Sequence, residues 1–110
     1  MKAGALRSHA LSLPGAVEQE TWGDATFRVR GKIFCILAPD ERSASLKASL
    51  DDQEALVATR PRTYSVAPYV GRYGWISVRL PGADPDEVRD LITQAWRMTA
   101  GKRAAAAFDA

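Results

Sequence analysis

A chain of 110 residues, 46% hydrophobic and 25% charged, has the composition of one soluble globular domain, long enough to bury a single core without metal or disulfides. One cysteine, Cys35, excludes an intrachain disulfide framework, and no apolar run approaches the ~20 residues of a membrane-spanning helix. A formal net charge of +2 is by itself poor evidence for a nucleic-acid partner, so the distribution of charge matters more than its sum.

Residues 3–13 read as a short helix, with Ala3, Leu6, Ala10 and Leu13 spaced for one buried stripe and Pro14-Gly15 stopping it. Arg7 and His9 interrupt the apolar stretch that a secretion signal requires, and a cytoplasmic location is the expectation. Val17–Trp22 alternates as an edge strand, and Gly23-Asp24 turns the chain. Thr26–Ala38 then reads as a tight β-hairpin. Gly31-Lys32 is expected as its two-residue loop, with glycine first as a type II′ turn prefers. That register puts Phe27, Val29, Phe34 and Ile36 on one apolar side, and Arg28 and Arg30 with Ile33, Cys35 and Leu37 on the other.

Pro39–Arg42 is a polar turn, and Ser43–Ala48 returns as a strand with Ala44, Leu46 and Ala48 on one side. Asp51-x-x-Glu54 resembles a capping box for a helix that ends before Pro61. Thr63–Val66 reads as a short strand, Ala67–Gly74 as a loop, and Trp75–Leu80 as a strand with Ile76, Val78 and Leu80 inward. Asp84-Pro85-Asp86-Glu87 is a complete helix start, an N-cap, a proline at the first helical position and then acids. The helix it opens carries Val88, Leu91, Ile92, Ala95, Trp96 and Thr99 on one stripe; Gly101 closes it before a short helical turn over Lys102–Phe108. Antiparallel strands bracketed by helices imply an α+β fold, helices on one sheet face and the other face at least partly open.

Six of the thirteen acids (Asp51, Asp52, Glu54, Asp84, Asp86, Glu87) fall at expected helix N-termini, whereas residues 55–83 hold Arg60, Arg62, Arg72 and Arg79 and no acid. The fold is therefore expected to separate charges that nearly cancel in sum. His9, the only histidine, has no partners at metal-ligand spacing. Cys35 reads as a small apolar residue in a strand, and no glycine-rich phosphate loop or Walker-type lysine appears. No catalysis, cofactor or metal is expected. The cations Arg28, Arg30 and Lys32 lie along one strand and its turn, positioned either to touch a phosphate backbone or simply to solvate the hairpin. Arg72 and Trp75 form a glycine-bracketed pair with Tyr69 and Tyr73 close by. Arg72 is read either as gripping an anion beside an exposed ring or as tying down its own loop.

Trp22-Gly23-x-x-x-Phe27-x-Val29-x-Gly31-Lys32-Ile33-Phe34, Ser45-Leu46-Lys47 and Tyr69-x-Gly71-Arg72-x-Gly74-Trp75, in that order, resemble the MmcQ/YjbR family of small bacterial proteins. The likeness runs from Leu11-x-Leu13-Pro14-Gly15 to Lys102. It implies a compact antiparallel sheet with helices against it, similar to frataxin and type III secretion chaperones, and DNA binding through hairpin-like "double-wing" elements. One position departs. Where many members carry Lys-x-His-Trp, this chain has Arg72-Tyr73-Gly74-Trp75, so no role of that histidine transfers. The expectation is a non-enzymatic single domain over residues 1–110 that binds DNA phosphates through Arg28, Arg30, Lys32, Lys47 and Arg72. One alternative is a protein-docking or homodimerising module that uses Ile33, Cys35 and Leu37. Another is a small anion or metabolite site around Arg72 and Tyr69.

Overall fold

The computed structural model describes residues 1–110. Helix α1 (Ala3–Ser12) leads into strands β1 (Val17–Thr21), β2 (Asp24–Val29), β3 (Lys32–Leu37) and β4 (Ser43–Leu46). Helix α2 (Leu50–Thr59), strand β5 (Tyr64–Val66), a 3-10 turn (Gly71–Tyr73) and strand β6 (Ile76–Arg79) follow. Helices α3 (Pro85–Ala100) and α4 (Lys102–Asp109) close the chain. The strands form one antiparallel sheet in the order β1-β2-β3-β4-β6-β5. The fold is α+β, as the sequence implies.

Cross-strand partners share a face, so the register decides what is inside. Phe27, Cys35, Leu46 and Ile76 pair across neighbouring strands, as do Leu37, Ala44, Val78 and Tyr64, and all eight are buried. The stripe of α3 (Val88, Ile92, Ala95, Trp96) lies against β2, β3 and β4, with Leu6 and Ala10 of α1 joining the same cluster. Helix α2 packs beside β5. Helix α4 folds back along α3, its Phe108 ring 5.1 Å from that of Trp96, whose indole N–H donates to the Pro14 carbonyl at 2.9 Å. The intervening row, Gln19, Thr26, Ile36, Ser45, Ser77 and Ser65, therefore points to the opposite, open face.

The hairpin register is corrected in two ways. Val29 pairs with Lys32, so the loop is Arg30-Gly31, with φ of +55° and +76°. Positive φ at both central residues is a type I′ turn, whose twist matches the strands it joins. The register then shifts between Phe27 and Arg28, which face Cys35 and Ile33, leaving Phe34 as the extra residue of a β-bulge. The bulge lets Phe34 and Cys35 both enter the core and puts Ile33 and Ile36 on the open face. The docking patch of Ile33, Cys35 and Leu37 is thereby overturned, because Cys35 is 0% and Leu37 1% exposed. The first hairpin repeats the device, turning at Trp22-Gly23 (φ +50° and +88°) rather than at Gly23-Asp24.

Helix caps follow local chemistry. The Asp84 side chain accepts from the Asp86 N–H, with Pro85 next in line, as expected. The cap of α2 is Ser49, which accepts from the Asp52 N–H at 3.0 Å, two residues before the expected Asp51. A serine hydroxyl fills that position as well as a carboxylate, and Asp51 and Asp52 then sit in the first turn, favourable to the helix dipole. Tyr64 ties the sheet to α3, donating its phenol proton to Glu87 at 2.6 Å, while Arg60 pairs with the other Glu87 oxygen at 3.3 Å. Burial first, then the hydrogen bond to Glu87, pushes the Tyr64 phenol pKa up.

Gly74 shows where the loop before β6 is most constrained: φ is +103°, and a Cβ there would lie 2.2 Å from the Ala48 carbonyl oxygen. Gly31, at φ +76°, has open space around it. Gly74→Ala is expected to lower unfolding stability by about 2 kcal/mol or more, and Gly31→Ala by about 1 kcal/mol, in urea titration. Equal costs would show that the Ala48 contact is not a constraint.

His9 lies between α1 and α3, its Nε2 2.8 Å from the Thr93 hydroxyl. That hydroxyl donates its proton to the Arg89 carbonyl, so the imidazole Nε2–H is the donor to Thr93. Burial, as the main cause, lowers the His9 pKa below its usual value. The unfolded chain then binds the extra proton first. This contribution to stability is full above about pH 6.5 and is lost as pH falls below it toward the folded-state pKa. The difference in melting temperature between wild type and His9→Gln is expected to change across that window; a pH-independent difference would contradict the assignment.

Candidate nucleic-acid interface

The topology brings the five expected contact residues to one end of the sheet. Strand β2 ends where β3 begins, at Arg30-Gly31; Lys47 follows the last residue of β4, and Arg72 lies in the loop that enters β6. Since β3, β4 and β6 are neighbours, spaced about 5 Å apart, these segments form one rim. Arg28 and Ile33 are paired on the open face, and strand alternation puts Lys47 and Trp75 there too, beyond the inward Leu46 and Ile76.

The side chains do not all point the same way. Arg28 lies flat along the open face, donating from Nε to the Thr26 hydroxyl at 3.2 Å and from Nη2 to the Thr21 hydroxyl at 3.0 Å. Arg30 turns toward the helical layer and donates to the Ala100 carbonyl at 3.2 Å, at the C-terminus of α3 where the helix dipole favours a cation. It ties the hairpin to α3. Lys32 is exposed at the hairpin end, and Lys47 is half-buried beside β3, its backbone N–H on the Phe34 carbonyl. Arg72 is exposed and folds over its neighbour, its guanidinium 4.7 Å from the Tyr73 ring centre and donating to the Tyr73 hydroxyl at 2.7 Å. No cavity opens beside Arg72 and Tyr69, which leaves the small-molecule alternative there without a pocket.

Carboxylates border this end without pairing to its cations: Asp51 and Asp52 open α2 just after Lys47, and Gln53 beside them bonds the Gly71–Trp75 loop. Glu18 and Glu20 pair with Phe27 and Ala25, on the helix-bearing side of the sheet, and Glu18 is bonded to Arg7 of α1 at 3.0 Å. The other ion pairs join Arg7 to Glu41, Arg60 to Glu87, Arg89 to Asp86 and Arg97 to Asp109. None of the five candidate cations is in an ion pair. Asp24 is the only acid among the strand residues of the open face.

Aromatic exposure is uneven. Trp75 is half-buried, and the Gln53 amide donates to its carbonyl at 2.8 Å and to that of Gly71 at 2.7 Å, which fixes the loop to α2. Trp22 and Tyr69 are almost wholly in solvent, both at positive φ. Gly74, at the position where the resembling family carries histidine, has no room for any side chain. Cys35 is fully buried, and burial pushes its thiol pKa up, so it offers no thiolate. No group of three or more His, Cys, Asp or Glu residues is placed to hold a metal ion. Arg62 and Arg79, at the opposite end of the open face, were not among the expected contacts. The signal for Arg79 was present in the inward Ile76-x-Val78 alternation, which turns Ser77 and Arg79 outward.

Residues 11–98 match the family model YjbR. The crystal structure of Deinococcus radiodurans protein DR2400, with its DUF419 domain, superposes with a TM-score of 0.84 over 93% of this chain and 80% of that one. At 19% identity that likeness shows the fold. Among curated proteins, the uncharacterized proteins Rv2570 of Mycobacterium tuberculosis (strain ATCC 25618 / H37Rv) and Mb2600 of Mycobacterium bovis (strain ATCC BAA-935 / AF2122/97) are each 37% identical over 54 residues. That stretch is 49% of this chain and 42% of each relative, so the match spans less than half of their length. With the family model covering most of its length and the fold agreeing, the chain belongs to the YjbR family.

Proposed function

We propose that this protein is a non-catalytic DNA-binding module that holds the phosphate backbone along one end of its open sheet face and acts in the cytoplasm. One observation carries the reading: Arg28 and Lys47 lie on the open face, Arg72 and the hairpin-tip Lys32 border the same end of the sheet, and none of the four is in an ion pair. Cations on a pleated surface give salt-dependent, sequence-independent affinity for phosphates. Arg28 supplies a guanidinium spread over the β1–β2 hairpin, Lys32 and Lys47 ammonium groups free of ion pairs, and Arg72 a guanidinium bonded to Tyr73. Arg30 acts through position, because its guanidinium is engaged by α3. Half-exposed Ile33 and Ile36 between the cations favour a second reading, in which the same face docks a protein partner or a second copy.

Fluorescence anisotropy on a short duplex at two salt concentrations tests the proposal. Affinity is expected to fall with salt, and Arg28→Gln with Lys47→Gln together to reduce the log–log salt slope by about 2, roughly one per phosphate contact. Arg30→Gln is expected to loosen the hairpin and lower the melting temperature while changing that slope less. A slope untouched by the double variant would refute the interface. A salt-insensitive dimer in size-exclusion chromatography that protects Ile33 and Ile36 would favour the docking reading.

A further inference from the structure

At the end of the open face away from the hairpin rim, β4, β6 and the segment entering β5 enclose a concavity of about 250 Å³. Its polar lining comes from Ser43, Thr63, Ser65, Ser77, Arg62 and Arg79. The register builds it: Ser43 is opposite Arg79, Ser65 is opposite Ser77, and the Arg79 N–H donates to the Thr63 carbonyl at 2.8 Å. Four hydroxyl-bearing residues and two arginines thus line one space, and no acidic residue is among its lining. None of these six side chains hydrogen-bonds or ion-pairs within the protein; the nearby Glu87 is already shared by Tyr64 and Arg60.

We infer that this concavity is a binding site for a phosphoryl group, held between Arg62 and Arg79 and hydrogen-bonded by the serine and threonine hydroxyls. An acceptor-only ligand satisfies every one of these donors, since each hydroxyl can turn its proton inward. Two planar guanidinium forks suit a tetrahedral oxyanion, which offers more acceptor oxygens than a carboxylate. The site is separate from the hairpin rim and stands whether or not that rim binds DNA. Its phosphoryl group has two sources, a small phosphate ester or the backbone of a nucleic acid crossing the sheet.

Titration of the 15N-labelled protein with inorganic phosphate, against sodium chloride of equal ionic strength, is the test. Saturable shifts are expected at the amides of Ser65, Ser77 and Arg79, with a dissociation constant on the order of 1 mM or tighter. Arg62→Gln and Arg79→Gln together should weaken binding at least about tenfold, the loss of charge-assisted hydrogen bonds. Shifts that follow ionic strength alone, or that persist in the double variant, would overturn the inference. Adenosine monophosphate binding more tightly than phosphate would identify a small ester as the source, whereas a short duplex moving the same amides would identify the nucleic-acid backbone. An unaltered protein that binds phosphate here but binds no duplex would sink the rim proposal and leave this site standing.

Discussion

Val88, Ile92, Ala95 and Trp96 of α3 press on the face of the sheet that carries Phe27, Cys35 and Leu46, and this one-sided burial organises the rest of the molecule. Val88, Ile92, Phe27 and Leu46, all fully buried, contribute about 1.5–3 kcal/mol each. A one-residue slip in any central strand would turn its apolar set to water. The register is therefore held, and with it the identity of the outward row. Helices fill one side only, so the outward serines and cations remain at the surface, while Thr26 in the same row is buried and accepts a hydrogen bond from Arg28.

Charge follows the same division. Acids collect at the first turns of α2 and α3, where they stabilise the helix dipole, and in the ion pairs of the helical layer. The sheet keeps Arg28, Lys47 and Arg79 on its open side. A net charge of +2 thus conceals a molecule with two unlike faces. Membership of the YjbR family and the shared fold account for the scaffold; the chemistry of the open face belongs to this chain's own residues.

Elements written in local chemistry were legible. Asp84-Pro85 announces α3, the stripe from Val88 to Thr99 sets its buried side, and the outward turn of Arg28 and Lys47 follows from simple alternation. Features set by tertiary contact were not. Arg30 in a left-handed conformation runs against the preference of any side chain, and its bond to the Ala100 carbonyl, seventy residues away, is invisible to local rules. The bulge at Phe34 likewise answers to core space on the helix side, and it moved Cys35 and Leu37 inside. The cluster around Arg62 and Arg79 needs two strands and a turn to meet, so only the fold assembles it.

Paired paramagnetic probes, one neutral and one anionic, measure the central claim directly, because each broadens the resonances of the surface it approaches. The account predicts that both broaden Ile33, Ile36, Ser45 and Ser77 while sparing Phe27, Cys35 and Leu46, and that the anionic probe acts more strongly on this face than the neutral one. Equal effects of the two probes, or protection of Ile36 and Ser77 in the free protein, would contradict an open and cationic sheet face.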